Sequence, residues 1–196
     1  MTIRSFFAIP LKPAVTRRLA DHADTLSVLD DHGVVNWTDA DSYHLTLCFL
    51  GEITLDQVVA LEQRVLEQLR GWPVFQLTLD RAEYFQVNDR LSLLAALTES
   101  RPELLALQQR MVELVNDAGI VVKDRDFTPH VTLGRLSPEA PFAAPDLWPA
   151  LNQPMCADAV VLYQSKPGAK GSVYTPLFDI RLEHGVESPL LTATQK

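Results

Sequence analysis

The sequence predicts an α+β fold of two pseudo-symmetric lobes, each a mainly antiparallel sheet with helices on its outer face, and a cleft between the lobes. Two observations favour this class. Short apolar runs of strand length alternate with amphipathic segments of helical period. A sequence of apolar strand, helix and histidine-containing strand also occurs twice along the chain. We assign residues 1–184 to a single bilobal domain and residues 185–196 to a C-terminal tail.

The predicted strands are apolar or alternating runs bounded by turn-forming residues. Besides the segment around His130, they comprise residues 4–10, 34–50, 74–79, 82–87, 91–98, 120–122, 157–164 and 172–182. Several segments between them have the apolar stripe of a helix that packs on a core.

Three such segments are predicted as helices. Pro13 suits the first turn of a helix that extends to about residue 28, since proline is preorganised for that position. The other two helices begin with a hydroxyl residue followed three positions later by a side chain that can reach back, the pattern of a capping box. These pairs are Thr54 with Gln57, and Ser100 with Glu103.

The internal repeat connects the two histidine-containing strands. Ala8 lies in the first apolar strand 36 residues before His44, and Ala95 lies in a similar strand 35 residues before His130. Near-equal spacing of like elements indicates two units of similar construction. If a pseudo-two-fold axis relates these units, the two histidine strands face each other across the cleft.

Each of these strands carries the same short motif, HLTL at residues 44–47 and HVTL at residues 130–133. Side chains at i and i+2 of a strand lie on one face, so each motif places its histidine and threonine together and its apolar residues on the other face. A single copy is best interpreted as a structural histidine. Two copies in equivalent strands favour a shared site instead.

Two imidazoles can supply a general base and a general acid, which is the requirement of metal-free phosphate ester cleavage. An ordinary imidazole pKa near 6.5 allows both protonation states near neutral pH, so we expect neither His44 nor His130 to need a large shift. Thr46 and Thr132 can each donate a hydrogen bond to a non-bridging phosphate oxygen. Strand propensity is the alternative explanation for both threonines.

Two further residues are candidates for substrate binding. Arg135 lies three positions after Thr132, on the wrong face of an unbroken strand, but the intervening Gly134 indicates a bulge that redirects the next side chain. Arg135 is therefore either a phosphate ligand or a solvent-exposed charge. Phe127 either stacks on a base or packs in the core. Cys48 follows Thr46 by two residues, but we expect it to be a small buried apolar side chain.

Composition restricts the partners. The net charge of −8 argues against a protein that holds long nucleic acid through many phosphate contacts. No apolar run reaches the roughly 20 residues that span a bilayer, and the first ten residues do not resemble a signal peptide. Two cysteines without ligand spacing and the absence of a metal-binding motif predict no metal or cofactor. We expect a cytoplasmic monomer without membrane contact that acts on a small substrate or on the end of an RNA.

Both motifs and their flanks, in RSFFAIPL, HLTLCFLGE, FTPHVTLGR and the late YQS and YTPL segments, resemble the 2H phosphoesterases over about residues 4–182. The closest resemblance is to the bacterial RNA 2′,3′-cyclic phosphodiesterases, also called 2′-5′ RNA ligases. It implies two α+β lobes around an active-site cleft, and metal-independent hydrolysis of a terminal 2′,3′-cyclic phosphate to a 2′-phosphate. By position it implies that His44 donates a proton to the leaving 3′ oxygen and that His130 activates water. Arg135 matches the arginine that commonly follows the second motif.

The resemblance also implies that the same site can join or split 2′-5′ linkages in RNA, with a ribose hydroxyl in place of water. The partners it implies are RNA with a 2′,3′-cyclic phosphate end or a small cyclic nucleotide. A different class of function uses the same cleft: a non-catalytic module that binds a nucleotide or an RNA end. Incubation with a 2′,3′-cyclic nucleotide distinguishes the two.

Overall fold

The computed structural model describes residues 2–122, 127–168 and 171–183. The helices are α1 (Pro13–Ser27), α2 (Leu55–Gln68) and α3 (Pro102–Asp117), with short 3-10 helices at Ala40–Ser42 and Pro145–Leu147. The strands are β1 (Thr2–Pro10), β2 (Asn36–Trp37), β3 (His44–Thr54), β4 (Phe75–Asn88), β5 (Leu91–Thr98), β6 (His130–Leu136), β7 (Gln153–Ala157), β8 (Ala159–Gly168) and β9 (Gly171–Arg181). Within the described residues, no helix is both long enough and apolar enough to cross a bilayer.

The strands form one antiparallel sheet in the order β7-β4-β5-β6-β3-β1-β8-β9, with β2 paired to β6. We call β3, β1, β8 and β9 the first half, and β6, β5, β4 and β7 the second half. The halves are joined at the centre, where Leu45 of β3 pairs with Val131 of β6. The predicted α+β class is confirmed, and the predicted lobes are two halves of one continuous sheet.

The main hydrophobic core lies between the three helices and one face of this sheet. Leu19 of α1, Leu61 of α2 and Leu107 of α3 are fully buried there, together with the central Leu45 and Val131. Burial of each such side chain stabilises the fold by roughly 1.5–3 kcal/mol. Because neighbouring side chains of a strand alternate, the histidines and threonines of both motifs lie on the face without helices.

The predicted start of α1 at Pro13 is confirmed, and of the two predicted capping boxes one is confirmed and the other is wrong. At α2, the Gln57 amide donates to Thr54 Oγ1 at 3.2 Å and the Thr54 amide donates to Gln57 Oε1 at 2.8 Å, so the capping box is complete. At α3 the N-cap is Arg101, which makes no side-chain capping bond, and Ser100 lies one residue too early. Pro102 determines this start, because it occupies the first helical position and holds the preceding residue in an extended conformation.

Several strands differ from the prediction. Residues 74–79 and 82–87 are parts of the single strand β4, interrupted by a register shift between Leu79 and Arg81. Residues 34–50 contain the short β2, a 3-10 turn and then β3, which extends to Thr54. Residues 120–122 are not a strand. β7 was not predicted; it lies in the segment between β6 and β8, where Pro154 is tolerated because β7 is at the edge of the sheet.

Two sequence predictions fall outside the described residues. The tail at residues 185–196 and the domain boundary at residue 184 remain predictions.

Candidate active site

The two motifs lie side by side at the centre of the sheet. In an antiparallel pair centred on Leu45 and Val131, the residue before one partner lies opposite the residue after the other. His44 is therefore placed near Thr132, and His130 near the first motif's threonine. The two predicted histidines are brought together on one face, and their charges interact across it.

Both imidazoles have their orientation and tautomer set in the same way. Nδ1 of His44 is 2.7 Å from the carbonyl oxygen of Ser42, and Nδ1 of His130 is 2.7 Å from the carbonyl oxygen of Thr128. A carbonyl only accepts, so Nδ1 carries a proton and donates it in both rings. The neutral form of each ring then has its lone pair on Nε2, which is the atom available for proton transfer.

Each motif strand contains a bulge at the residue directly after its threonine. In β3, Thr46 pairs with Ala8 while Cys48 pairs with Phe7, so Leu47 is an extra residue. In β6, the register shifts in the same way: Thr132 pairs with Ala95, Gly134 pairs with Leu94, and Leu133 is the extra residue. The alanines aligned by the sequence repeat thus occupy matching positions in both halves.

The second bulge turns Arg135 to the face of His130 and Thr132, as the glycine in the sequence indicated, and its role as a phosphate ligand stays a prediction. The partners of His130, Thr132 and Arg135 on β5 are Leu97, Ala95 and Leu93, which alternate along that strand and share one face. Arg135 is partly buried, and its positive charge reaches both imidazoles.

The first bulge turns Cys48 away from the site. In an unbroken strand Cys48 would share the face of Thr46, but after Leu47 it pairs with the core residue Phe7. The side chain is 5% exposed, and burial raises the pKa of its thiol to about 12. The prediction that Cys48 is a small buried residue is confirmed.

The sequence did not predict the residue that holds Arg135. Thr38 Oγ1 accepts a hydrogen bond from Arg135 Nη1 at 3.4 Å, and the Thr38 amide donates to the carbonyl oxygen of the bulged Leu133 at 2.8 Å. Thr38 reaches this position because β2 pairs along β6, and Gly134 allows that approach. A Cβ atom on Gly134 would lie 2.5 Å from Cγ1 of Val35. Only the packing of β2 on β6 reveals this contact, since Thr38 is remote from both motifs in the chain.

The pKa values of both histidines lie below the ordinary imidazole pKa that the sequence analysis assumed. Burial lowers the pKa of His44 to about 4; the bond to Ser42 opposes this effect, and the charges of His130 and Arg135 add to it. Burial also lowers the pKa of His130, where the bond to Thr128 opposes the shift and Arg135 adds to it. The prediction that neither histidine needs a large shift is wrong for His44, because the surrounding rings exclude water from it.

Those rings belong to the first half of the sheet. The His44 ring centroid is 4.8 Å from that of Phe6, 4.9 Å from Tyr174 and 6.0 Å from Tyr163. His130 contacts Phe85 at 5.0 Å, and the apolar cluster on its side is made of Leu93, Ala95 and Leu97, flanked by Phe85 and Leu91. The pair of imidazoles thus has an aromatic side and a mainly aliphatic side.

The remaining candidates occupy different places. Thr46 and Thr132 are partly exposed beside the histidines, and no hydrogen bond to another described residue engages either hydroxyl. Phe127 is partly buried against the main core, and its predicted contact with substrate stays a prediction. A cavity of about 400 Å³ is lined by Pro10, Tyr163 and residues of α1 and the first 3-10 helix, and by none of the predicted site residues.

This arrangement provides acid–base chemistry next to a fixed positive charge. Two Nε2 atoms on one face can remove and deliver protons, and Arg135 with the threonine hydroxyls can bind an anion between them. Across the described ranges, no group of three His, Cys, Asp or Glu side chains is placed to hold a metal ion.

Known proteins share this sequence and fold. The sequence profile of the 2′-5′ RNA ligase superfamily matches residues 14–165. The RNA 2′,3′-cyclic phosphodiesterase of Escherichia coli is 32% identical over 174 residues, 89% of this chain and 93% of that protein. The RNA 2′,3′-cyclic phosphodiesterase of Thermus thermophilus is 34% identical over 154 residues, 74% of this chain and 75% of that protein.

A solved structure gives the same result. The crystal structure of E. coli LigT complexed with 3′-AMP is 28% identical, has a TM-score of 0.74, and aligns with 93% of this chain and 99% of that chain. The motif residues, their geometry and the shared fold lead to one conclusion: the chain belongs to the 2′-5′ RNA ligase superfamily.

Proposed function

We propose that this protein is a metal-independent RNA 2′,3′-cyclic phosphodiesterase that hydrolyses a terminal 2′,3′-cyclic phosphate to a 2′-phosphomonoester. The observation that carries the proposal is the pair of imidazoles, His44 and His130, each with Nδ1 bound to a carbonyl and Nε2 left for chemistry beside the Arg135 charge. The two relatives named RNA 2′,3′-cyclic phosphodiesterase and the fold shared with E. coli LigT support it.

The reaction needs one proton removed and one delivered. His130, neutral, accepts a proton from water as the water oxygen attacks phosphorus. His44, as imidazolium, donates its Nε2 proton to the 3′ oxygen as the bond from phosphorus to that oxygen breaks. The phosphate remains attached through the 2′ oxygen. Arg135, Thr46 and Thr132 stabilise the charge that builds on the non-bridging oxygens.

The low pKa of His44 adds a condition to this mechanism. With a pKa of about 4, His44 is neutral in the free protein near pH 7, whereas a proton donor must be charged. The anionic ester favours the imidazolium form when it binds, because opposite charges at close range stabilise each other. The Ser42 carbonyl accepts from Nδ1 in both states and keeps the ring in place. Substrate binding therefore prepares the acid.

The substrate is an RNA end or a small cyclic nucleotide. A chain of net charge −8 suits local contact with one terminal phosphate better than contact with many phosphates. A ribose hydroxyl in place of water makes the same site a 2′-5′ ligase. The complex of LigT with 3′-AMP supports a nucleotide-sized site beside the two histidines. We propose that the protein acts as a monomer in the cytoplasm. The reducing conditions of that compartment suit its two free cysteines.

The direct test is product analysis. An oligonucleotide with a 2′,3′-cyclic phosphate end is incubated with the protein in excess EDTA, and the phosphate is assigned by phosphorus NMR. We expect a 2′-monoester with undiminished rate, and no product from His130→Ala. Tight binding without turnover would identify the non-catalytic module instead, and activity that is lost in EDTA and restored by zinc would identify a metal enzyme.

A further inference from the structure

A second cavity lies in the first half of the sheet, apart from the groups that the proposed reaction uses. It has a volume of about 390 Å³ and is lined by side chains of β1, β3, β8 and β9. Its polar lining includes Arg4, Glu52, Ser165, Lys166 and Ser172. We call it the hairpin cavity, because β8 and β9 form a hairpin beside it.

The strand register places the hairpin cavity on the face of the histidine motifs. Arg4 is two residues from Phe6 on β1, and the Phe6 ring contacts the His44 ring at a centroid distance of 4.8 Å. Ser172 is likewise two residues from Tyr174 on β9, and the Tyr174 ring contacts His44 at 4.9 Å. Residues two apart in a strand share a face. Arg4 therefore lies on the motif face, about 7 Å beyond Phe6 along the strand.

The lining of the hairpin cavity suits an anion, although the protein as a whole is acidic. Arg4 and Lys166 contribute two exposed cations, and Ser165 and Ser172 add hydroxyl donors. Glu52, the strand partner of Arg4, is the one carboxylate in the lining. Neither cation forms an ion pair with another described residue. Cations and hydroxyls with free donors are the groups that bind backbone phosphates of nucleic acids.

The polarity of the proposed reaction directs the rest of an RNA strand toward this cavity. The oxygen that leaves phosphorus belongs to the terminal ribose, so that ribose lies on the side of the proton donor, His44. The attacking water lies on the opposite side of phosphorus, near His130. The strand upstream of the terminal nucleoside is therefore directed over the first half of the sheet, where the hairpin cavity lies.

We infer that the hairpin cavity binds a backbone phosphate upstream of the terminal nucleoside, with Arg4 and Lys166 as its cationic ligands. The inference rests on the proposed function and extends it, because it makes an oligoribonucleotide end a better substrate than a mononucleotide. Phosphate contacts position a strand without reading its bases, so such a site accepts ends of varied sequence. Contact with one further phosphate, unlike contact with many, is compatible with an acidic chain.

The experiment compares substrates with and without an upstream phosphate. Wild type and Arg4→Gln are assayed on an adenosine trinucleotide with a 2′,3′-cyclic phosphate end and on adenosine 2′,3′-cyclic phosphate. We expect wild type to prefer the trinucleotide, and Arg4→Gln to lower the ratio of the two kcat/KM values about 3- to 5-fold, as for loss of one exposed ion pair. Arg4→Lys keeps the charge and should retain most of the preference. The wild-type ratio should also fall as salt is added, because salt screens exposed charges.

An equal loss on both substrates in Arg4→Gln, or an unchanged ratio, would overturn the inference. Arg18→Gln is the matched control, because Arg18 is an exposed arginine on α1, which covers the opposite face of the sheet. Its ratio should equal that of wild type; a fall as large as in Arg4→Gln would make net charge the cause instead of a site. Glu52→Gln removes the carboxylate from the cavity and should raise the ratio. A lower ratio in that variant would contradict an anionic occupant.

Binding measurements distinguish this inference from the proposed function. Calorimetric titrations with adenosine 2′-phosphate and with an adenosine trinucleotide that ends in a 2′-phosphate require no turnover. Weaker binding of the trinucleotide by Arg4→Gln than by wild type, with equal binding of adenosine 2′-phosphate, supports the phosphate subsite even if the wild type does not hydrolyse the cyclic ester. Equal affinities of the two proteins for the trinucleotide would contradict it even in a fully active enzyme.

Discussion

The two halves of the sheet share the local structure of their histidine motifs but differ in the side chains around those motifs. In each half, Nδ1 of the motif histidine donates a hydrogen bond to the carbonyl oxygen two residues earlier. An alanine pairs with the motif threonine, and a bulge follows that threonine. These features fix two imidazoles in equivalent orientations. The repeat therefore preserves the local geometry around each imidazole.

The differences begin beyond the bulges. The first half directs Cys48 into the core and presents Phe49 to solvent, whereas the second half has Gly134 and Arg135 at the corresponding positions. Aromatic rings contact His44, while one ring and an aliphatic cluster border His130. Duplicated geometry thus places two chemically similar groups in different environments: aromatic rings around His44, and mainly aliphatic side chains with the Arg135 charge around His130.

The largest expected effects concern the two histidines. His130→Ala should lower kcat about 10²- to 10⁴-fold both on a 2′,3′-cyclic ester and on a 4-nitrophenyl phosphodiester, because both reactions need water to be activated. His44→Ala should lower kcat similarly on the cyclic ester but much less on the nitrophenyl ester, whose leaving group departs without a proton. Release of nitrophenolate and hydrolysis of the cyclic ester measure the two rates.

If His44→Ala instead lowers both rates and His130→Ala lowers mainly the rate on the cyclic ester, His44 is the base and His130 is the acid. A variant with near wild-type rates on both esters would remove that histidine from the mechanism. His32→Ala is the control, because His32 is exposed between α1 and β2 and should leave both rates unchanged.

The next effect concerns Arg135, the charge that only the second half presents. Arg135→Gln should lower kcat/KM about 10²-fold, because one charged contact to the phosphate oxygens is lost. The charge of Arg135 lowers the pKa of both histidines, so its removal should raise both. In wild type, both limbs of the pH profile of kcat/KM should lie below 6.5, and the substitution should move both limbs to higher pH.

The profile of each variant is measured from about pH 3.5 to 9, and Arg90→Gln, in the exposed β4–β5 turn, is the control. Unmoved limbs in Arg135→Gln, despite lower activity, would show that Arg135 does not act on the imidazoles. A shift to lower pH would contradict its position beside them.

The smallest effect is on stability and concerns Gly134. In the first half the corresponding residue, Cys48, has a side chain that the core accommodates, but a Cβ on Gly134 would lie 2.5 Å from Val35 Cγ1. Gly134→Ala should therefore lower the free energy of unfolding by about 1–3 kcal/mol, measured by urea denaturation. Combination with Val35→Ala should cost less than the sum of the single changes, since it removes the clash. Additive costs would show that the contact with β2 is not the reason for the glycine.

Local patterns accounted for much of the fold and for the centre of the site. Alternation along each strand placed His44 with Thr46 and His130 with Thr132, because side-chain direction in a strand has a period of two. The Thr54 capping box also depends only on residues three apart. Gly134 indicated the bulge that brings Arg135 to the site. Where a local rule failed, at Ser100, a neighbouring proline imposed a stronger one.

The sequence by itself determined the α+β class, the pairing of two histidine motifs and the arginine beside the second. The tertiary structure decided the bulge after Thr46, the bond of Thr38 to Arg135 and the exposure of Phe49. It also lowered the pKa of His44, since burial among Phe6, Tyr163 and Tyr174 requires strands from both ends of the chain. These properties depend on contacts between segments that are distant in the sequence. A local sequence pattern does not show how close such segments lie in the folded protein.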